Sequence, residues 1–167
     1  MDIMGETAVV EPLDLTDIKA YLALVPTDTS MDGLLLQCAS QARERLEPYL
    51  PFWIAEREVE AKGALDTMAR GTVKGPVSAV RSASVKRATG WESVEPSGIE
   101  AAEGGLLLFP EDCAGLEAKV AYRAGSYLPG PVQTALLMMV RQIYTDRTSD
   151  PLTPAVAGMI GPYRRRI

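Results

Sequence analysis

The sequence predicts an α+β fold that is mainly helical. It has an N-terminal helix hairpin, a long C-terminal helix plus a short final helix, and a small antiparallel β-sheet in the centre. Three observations predict it. Apolar residues recur at helical intervals towards both ends of the 167-residue chain. Between them the period drops to two and turn residues multiply. The composition, 47% hydrophobic and 23% charged, suits a folded domain that buries about two-thirds of its unfolded surface.

The first helix is expected at about 14–25. Asp14 can cap it, Asp17 sits near the positive end of its dipole, and Leu13 and Ile18 have the spacing of a hydrophobic staple. Leu15, Ile18, Tyr21 or Leu22, and Val25 keep the helical interval, and Pro26 stops it. The second helix is expected at about 29–47. Met31, Leu34, Leu35, Cys38, Ala42 and Leu46 form its apolar face, while Arg43, Glu44 and Glu47 are expected to stay in water. Pro48 and Pro51 end it. From about 52 to 124 the chain reads as β-rich. Trp53, Ala55, Val59 and Ala61 alternate with Ile54, Glu56, Glu58 and Glu60, and further strands are expected at 77–87, 106–109 and 116–123. Gly75-Pro76, Thr89-Gly90, Pro96-Ser97-Gly98 and Gly104-Gly105 supply the turns. A helix at about 131–147 follows, opened by Pro131 and faced by Val132, Ala135, Leu136, Met139, Val140 and Ile143. A short helix from Thr153-Pro154 to Ile160 is broken by Gly161-Pro162.

Composition also narrows function. The chain has no histidine, which removes the usual general base, the usual zinc ligand and every imidazole-based triad. No phosphate-binding glycine loop is present, and Ser126 lacks both the second glycine of a nucleophile elbow and a base. Glu56, Glu58 and Glu60 share one strand face, and three like charges in a row read as a solvated surface. No catalytic residue, cofactor or metal site is expected. Cys38 and Cys113 are expected as buried thiols rather than a bridge. No apolar run reaches the ~20 residues of a membrane span, and the acidic first residues do not read as a signal peptide, so cytoplasmic synthesis is expected. With 17 basic and 22 acidic residues the net charge is -5, unfavourable to general polyanion binding. The charge is uneven: residues 1–70 hold 6 basic and 13 acidic groups, whereas 141–167 hold 5 and 2. The one basic cluster is Arg164-Arg165-Arg166, with a phosphate grip or an acidic protein partner as its readings. Trp53 and Trp91 lack interleaved arginines, so single-strand binding is weakly supported.

The order of elements resembles the head–tail connector (adaptor) proteins of long-tailed phages and phage-derived gene transfer agents. Leu13-Asp14-Leu15-Thr16-Asp17-Ile18-Lys19-Ala20-Tyr21-Leu22 is similar to that family's opening helix, and Asp32-Gly33-Leu34-Leu35-Leu36 through Ala42-Arg43 to its second. Gly75-Pro76-Val77-Ser78-Ala79-Val80 and Val120-Ala121-Tyr122-Arg123-Ala124-Gly125 look like its strand entry and exit. Pro131 to Arg147, then Ile160-Gly161-Pro162-Tyr163-Arg164, resemble its long helix and closing segment. The glutamate-rich strand and the loop from Glu92 to Gly105 match no motif of the family. The resemblance implies a connector core over 1–150 and a short helix with a basic tail over 151–167. It further implies a structural virion neck protein without enzymatic activity. Copies would form a closed ring, taken as a dodecamer, below the portal, meeting a stopper or tail-side neck protein, with DNA only as passing cargo and no membrane. Portal binding falls by this resemblance on Pro162, Tyr163, Arg164, Arg165, Arg166 and Ile167. The alternatives are a stopper or tail-completion protein and, in another class, a cytosolic module binding a small ligand or nucleic acid through the sheet and Trp91.

Overall fold

A computed structural model describes residues 1–125, 127–146, 150 and 152–163, the side chains of 7–9 excepted. In chain order its elements are β1 (Asp2–Val10), α1 (Leu15–Tyr21), α2 (Asp32–Leu46), β2 (Glu56–Ala64), β3 (Arg70–Thr72), β4 (Val77–Arg87), β5 (Gly90–Val94), β6 (Glu100–Ala102), β7 (Leu106–Leu108), β8 (Glu117–Ala124), α3 (Gly130–Thr145) and α4 (Pro154–Ile160), with five short 3-10 turns. They sort into two units. The first comprises Met1–Val10 and Ala55–Tyr127, the second Glu11–Ile54 and Leu128–Ile167.

This corrects the expected fold class. The described chain opens on a strand, not on a helix hairpin, and the β part is two antiparallel sheets of eight strands rather than one small sheet. Among the described residues no long helix closes the chain; its last third holds helices of 16 and 7 residues there. The reasons are physical. Residues 2–6 and Val10 of β1 are exposed, so no alternation of apolar and polar residues betrays the strand. β3, β6 and β7 have three residues each, too few to show any period.

In the first unit the larger sheet runs β1-β2-β8-β4-β5 and the smaller β3-β7-β6, every pairing antiparallel. β2 and β8 carry the clearest period of two. Val59 and Ala61 on β2, and Ala118, Val120, Tyr122 and Ala124 on β8, are buried on one face. The Tyr122 hydroxyl donates to the Lys74 carbonyl at 3.2 Å, which satisfies the polar end of an otherwise apolar side chain. β8 ends at Gly125, whose φ of +108° favours glycine; a Cβ there would lie 2.0 Å from the Ala55 carbonyl oxygen. Met1 packs into space left by Gly63 and Gly71 and holds the start of β1 against the sheet. The unmatched segment 92–105 provides most of β5, all of β6 and the turn into β7.

In the second unit α2 and α3 pack around Leu35, Ala39, Ala42, Leu46, Leu136, Met139 and Val140, with Ile18 of α1 and Val156 and Ile160 of α4 closing the core. α1 stops at Tyr21, earlier than expected. Ala23 adopts φ +54°, the Leu24 amide donates to the Lys19 carbonyl at 2.9 Å and the Ala23 amide to Ala20 at 3.2 Å, a Schellman ending formed without glycine. The Lys19 ammonium is buried. It donates to the Asp28 carbonyl at 2.8 Å and pairs with Asp32 at 2.6 Å, and so pins the α1–α2 connection.

A second correction concerns α2. Arg43 and Glu47 do not stay in water: they are 4% and 3% exposed. Arg43 Nε donates to both carboxylate oxygens of Glu11 at 3.1 Å, its Nη1 meets Glu47 at 3.2 Å, and Glu47 accepts from the Ile54 amide at 3.2 Å. Paired charges of this kind tolerate burial where lone ones do not.

Candidate functional site

Thr153 caps α4, its hydroxyl accepting from the Val156 amide at 3.4 Å, and Val156 and Ile160 bury one side of the helix. A 3-10 turn, Gly161–Tyr163, follows. Of the six residues expected to bind a partner, Pro162 lies exposed on this turn and Tyr163 is half-buried. The Tyr163 ring meets Phe52 edge-on, with centroids 6.3 Å apart, and packs on the apolar core of its own unit. It anchors the point from which the basic segment departs. Arg164, Arg165, Arg166 and Ile167 lie outside the described residues.

The other charged surface is one face of the large sheet, opposite its buried face. Glu56 pairs with Arg123, and Glu58 with Arg81 at 3.4 Å, so cross-strand arginines neutralise two of the three glutamates noted in the sequence. Glu117 receives Lys62 at 2.9 Å and Lys86 at 3.7 Å, and the hydrogen bond from Lys62 holds its carboxyl below the usual range. Trp91 stands on this face with the Lys119 ammonium 4.3 Å and that of Lys62 5.6 Å from its ring centre. A groove of about 410 Å³ crosses the face over Ser82, Ser84, Ser93 and Ala121, with Glu60, Lys119 and Met4 among its walls. Sequence reasoning missed the lysines around Trp91, because they arrive from β2 and β8, about 30 residues away in the chain on either side. Their alternate spacing within each strand was the one available signal.

Among the described residues no three cysteine or carboxylate side chains gather as a metal site. Cys38 and Cys113 are both buried, and burial pushes the Cys113 thiol up, away from a reactive thiolate. Among the described residues no helix is long and apolar enough to cross a membrane.

No family model and no curated protein matches the chain. Its fold, however, matches solved structures over its whole length. A chain from the neck of an empty GTA particle, computed with C6 symmetry, superposes with a TM-score of 0.75 at 18% identity. A chain of the virion of a native gene transfer agent (GTA) particle gives 0.67 at 21%, and one from the neck of a native GTA particle, computed with C12 symmetry, 0.67 at 18%. Each match covers 100% of this chain and 97% of the other. The fold is that of gene transfer agent neck chains. This neck fold includes both sheets and all four helices, so the segments that matched no sequence motif belong to it as fully as those that did. The resemblance read from residues 13–167 and the likeness of the folds both name gene transfer agent proteins as what this chain is similar to.

Proposed function

We propose that this chain is a structural component of a virion neck, a head–tail connector whose copies form a ring below the portal and extend the DNA channel. The observation that carries the reading is the match of the entire fold to neck chains, reached independently of the motif order in the sequence. Neck structures computed with sixfold and twelvefold symmetry support an oligomeric ring, for which a dodecamer is our specific reading. The neighbours are parts of particles rather than enzymes, in keeping with a chain that lacks histidine. A net charge of -5 suits a channel that DNA must leave freely, because like charge discourages phosphate binding.

Portal docking is assigned to Pro162, Tyr163, Arg164, Arg165, Arg166 and Ile167, with the arginines meeting acidic groups and many copies adding avidity. The fold refines the experiment. Removing residues 164–167 spares the Tyr163–Phe52 contact. That truncation should abolish added rings when protein and portal are mixed and imaged, with the thermal unfolding curve unchanged. Truncation at 162 also deletes the aromatic contact and should cost about 1 kcal/mol of stability. Normal docking by the shorter truncation would remove these arginines from the interface. Raising salt should weaken docking of the full chain, because exposed ion pairs are screened.

A further inference from the structure

We propose that the portal contact extends beyond the basic segment, over the turn Glu47–Tyr49 and into a groove along α2 that takes an apolar side chain and a carboxylate from the portal. The inference rests on the docking reading above and names further residues for that contact. Phe52 meets the ring of Tyr163, the residue from which the basic segment departs. Three residues of extended chain reach at most about 11 Å, so Tyr49 lies within that distance of Phe52. Tyr49 is 42% exposed, and Pro51 and Pro162, the neighbours of Phe52 and Tyr163 in the chain, are exposed as well. Exposed aromatic and arginine side chains are the common anchors of protein interfaces.

The groove leads away from this turn. Glu47 at the end of α2 keeps helical geometry, φ −57° and ψ −32°, so Arg45 and Tyr49, four residues apart, share one side of the helix. Arg45, Gln41 and Gln37, with Leu34, Cys38 and Ile143, line a groove of about 300 Å³. Among the described residues the side chains of Gln37, Gln41 and Arg45 make no hydrogen bond or ion pair, whereas the nearby carboxylates of Glu44 and Glu47 are both taken by Arg43. The groove therefore offers an apolar floor, two uncommitted carboxamides and one uncommitted guanidinium. Such a floor takes an apolar side chain, carboxamides pair with peptide groups, and a guanidinium pairs with a carboxylate. Arg45 has the same sign as Arg164, Arg165 and Arg166, so a single acidic partner surface is complementary to both parts of the contact.

The test mixes the purified full chain with its purified portal. With the photoreactive residue benzoylphenylalanine in place of Tyr49, irradiation of docked rings is expected to give an adduct of one chain with one portal subunit. Adducts between two chains alone would overturn the groove contact, and so would docked rings that give none; either result leaves the docking reading standing. Failure of the unaltered chain to dock would overturn both. The swap keeps an aromatic ring at 49; if it lowers the melting temperature, the same probe at Gln37, exposed on the groove wall, gives the reading instead. As a second measurement, Arg45→Glu should weaken docking about tenfold with the thermal unfolding curve in place, and Arg45→Lys should dock nearly as the unaltered chain does. Undiminished docking of Arg45→Glu would remove the groove from the contact.

Discussion

Arg43 shows how much one residue can carry. It sits between Glu11 and Glu47, and through Glu47 reaches the Ile54 amide, so residues at both ends of the first segment of the helical unit are tied to α2. Arg43→Ala would leave Glu47 buried without its cation. We expect a loss of about 3–5 kcal/mol, read as a shifted urea midpoint. Combining it with Glu47→Gln should recover part of that loss, which a double-mutant cycle would measure. Acid should act on a different set. Asp28, held low first by the Ser30 hydroxyl, Asp66 by the Arg70 amide, Asp112 by Arg87 and Glu117 by Lys62 all lie below their usual 3.8 or, for Glu117, 4.5. A lowered folded value means that stability is present above the unfolded value and is lost as pH falls through the folded one. Melting temperature should therefore begin to fall near pH 4.5 and continue down past 3.8. With no histidine to titrate, no side-chain step of that kind precedes it on the way down from neutral pH.

Elements end where backbone geometry requires it, and two endings make contrasting predictions. α1 closes through Ala23 at φ +54°, a conformation that costs an alanine energy but a glycine almost none. Ala23→Gly should raise stability by about 0.5–1 kcal/mol, seen as a higher melting temperature, despite the added freedom of the unfolded chain. β8 closes through Gly125 at φ +108° against the Ala55 carbonyl. Gly125→Ala should destabilise by about 2–4 kcal/mol in urea denaturation, because both strain and steric overlap must be absorbed. The second ending was legible as a glycine after an alternating strand. The first was not, since nothing in Tyr21-Leu22-Ala23-Leu24 marks a stop before Pro26. The same limit hid β1, whose exposed residues show no alternation.

For the whole molecule, the question is how an acidic chain without histidine is used. Its fold matches that of a neck chain, and a C-terminal turn carries Tyr163 against Phe52, next to the proposed docking segment. The apolar faces of α2 and α3, the alternation of β8 and the absence of imidazole chemistry could all be read along the chain, because each depends on residues a few positions apart. That Arg43 and Glu47 are buried, that Arg81 and Arg123 face the glutamates, and that lysines from β2 and β8 converge on Trp91 came from folding alone. The sheet relations join residues up to about 70 positions apart, as Glu56 and Arg123 are, and a one-residue change of register would reverse which side chains share a face. Periodicity is a local property and could be read directly; pairing is a property of the closed fold, and with it came the arrangement of charges across the sheet.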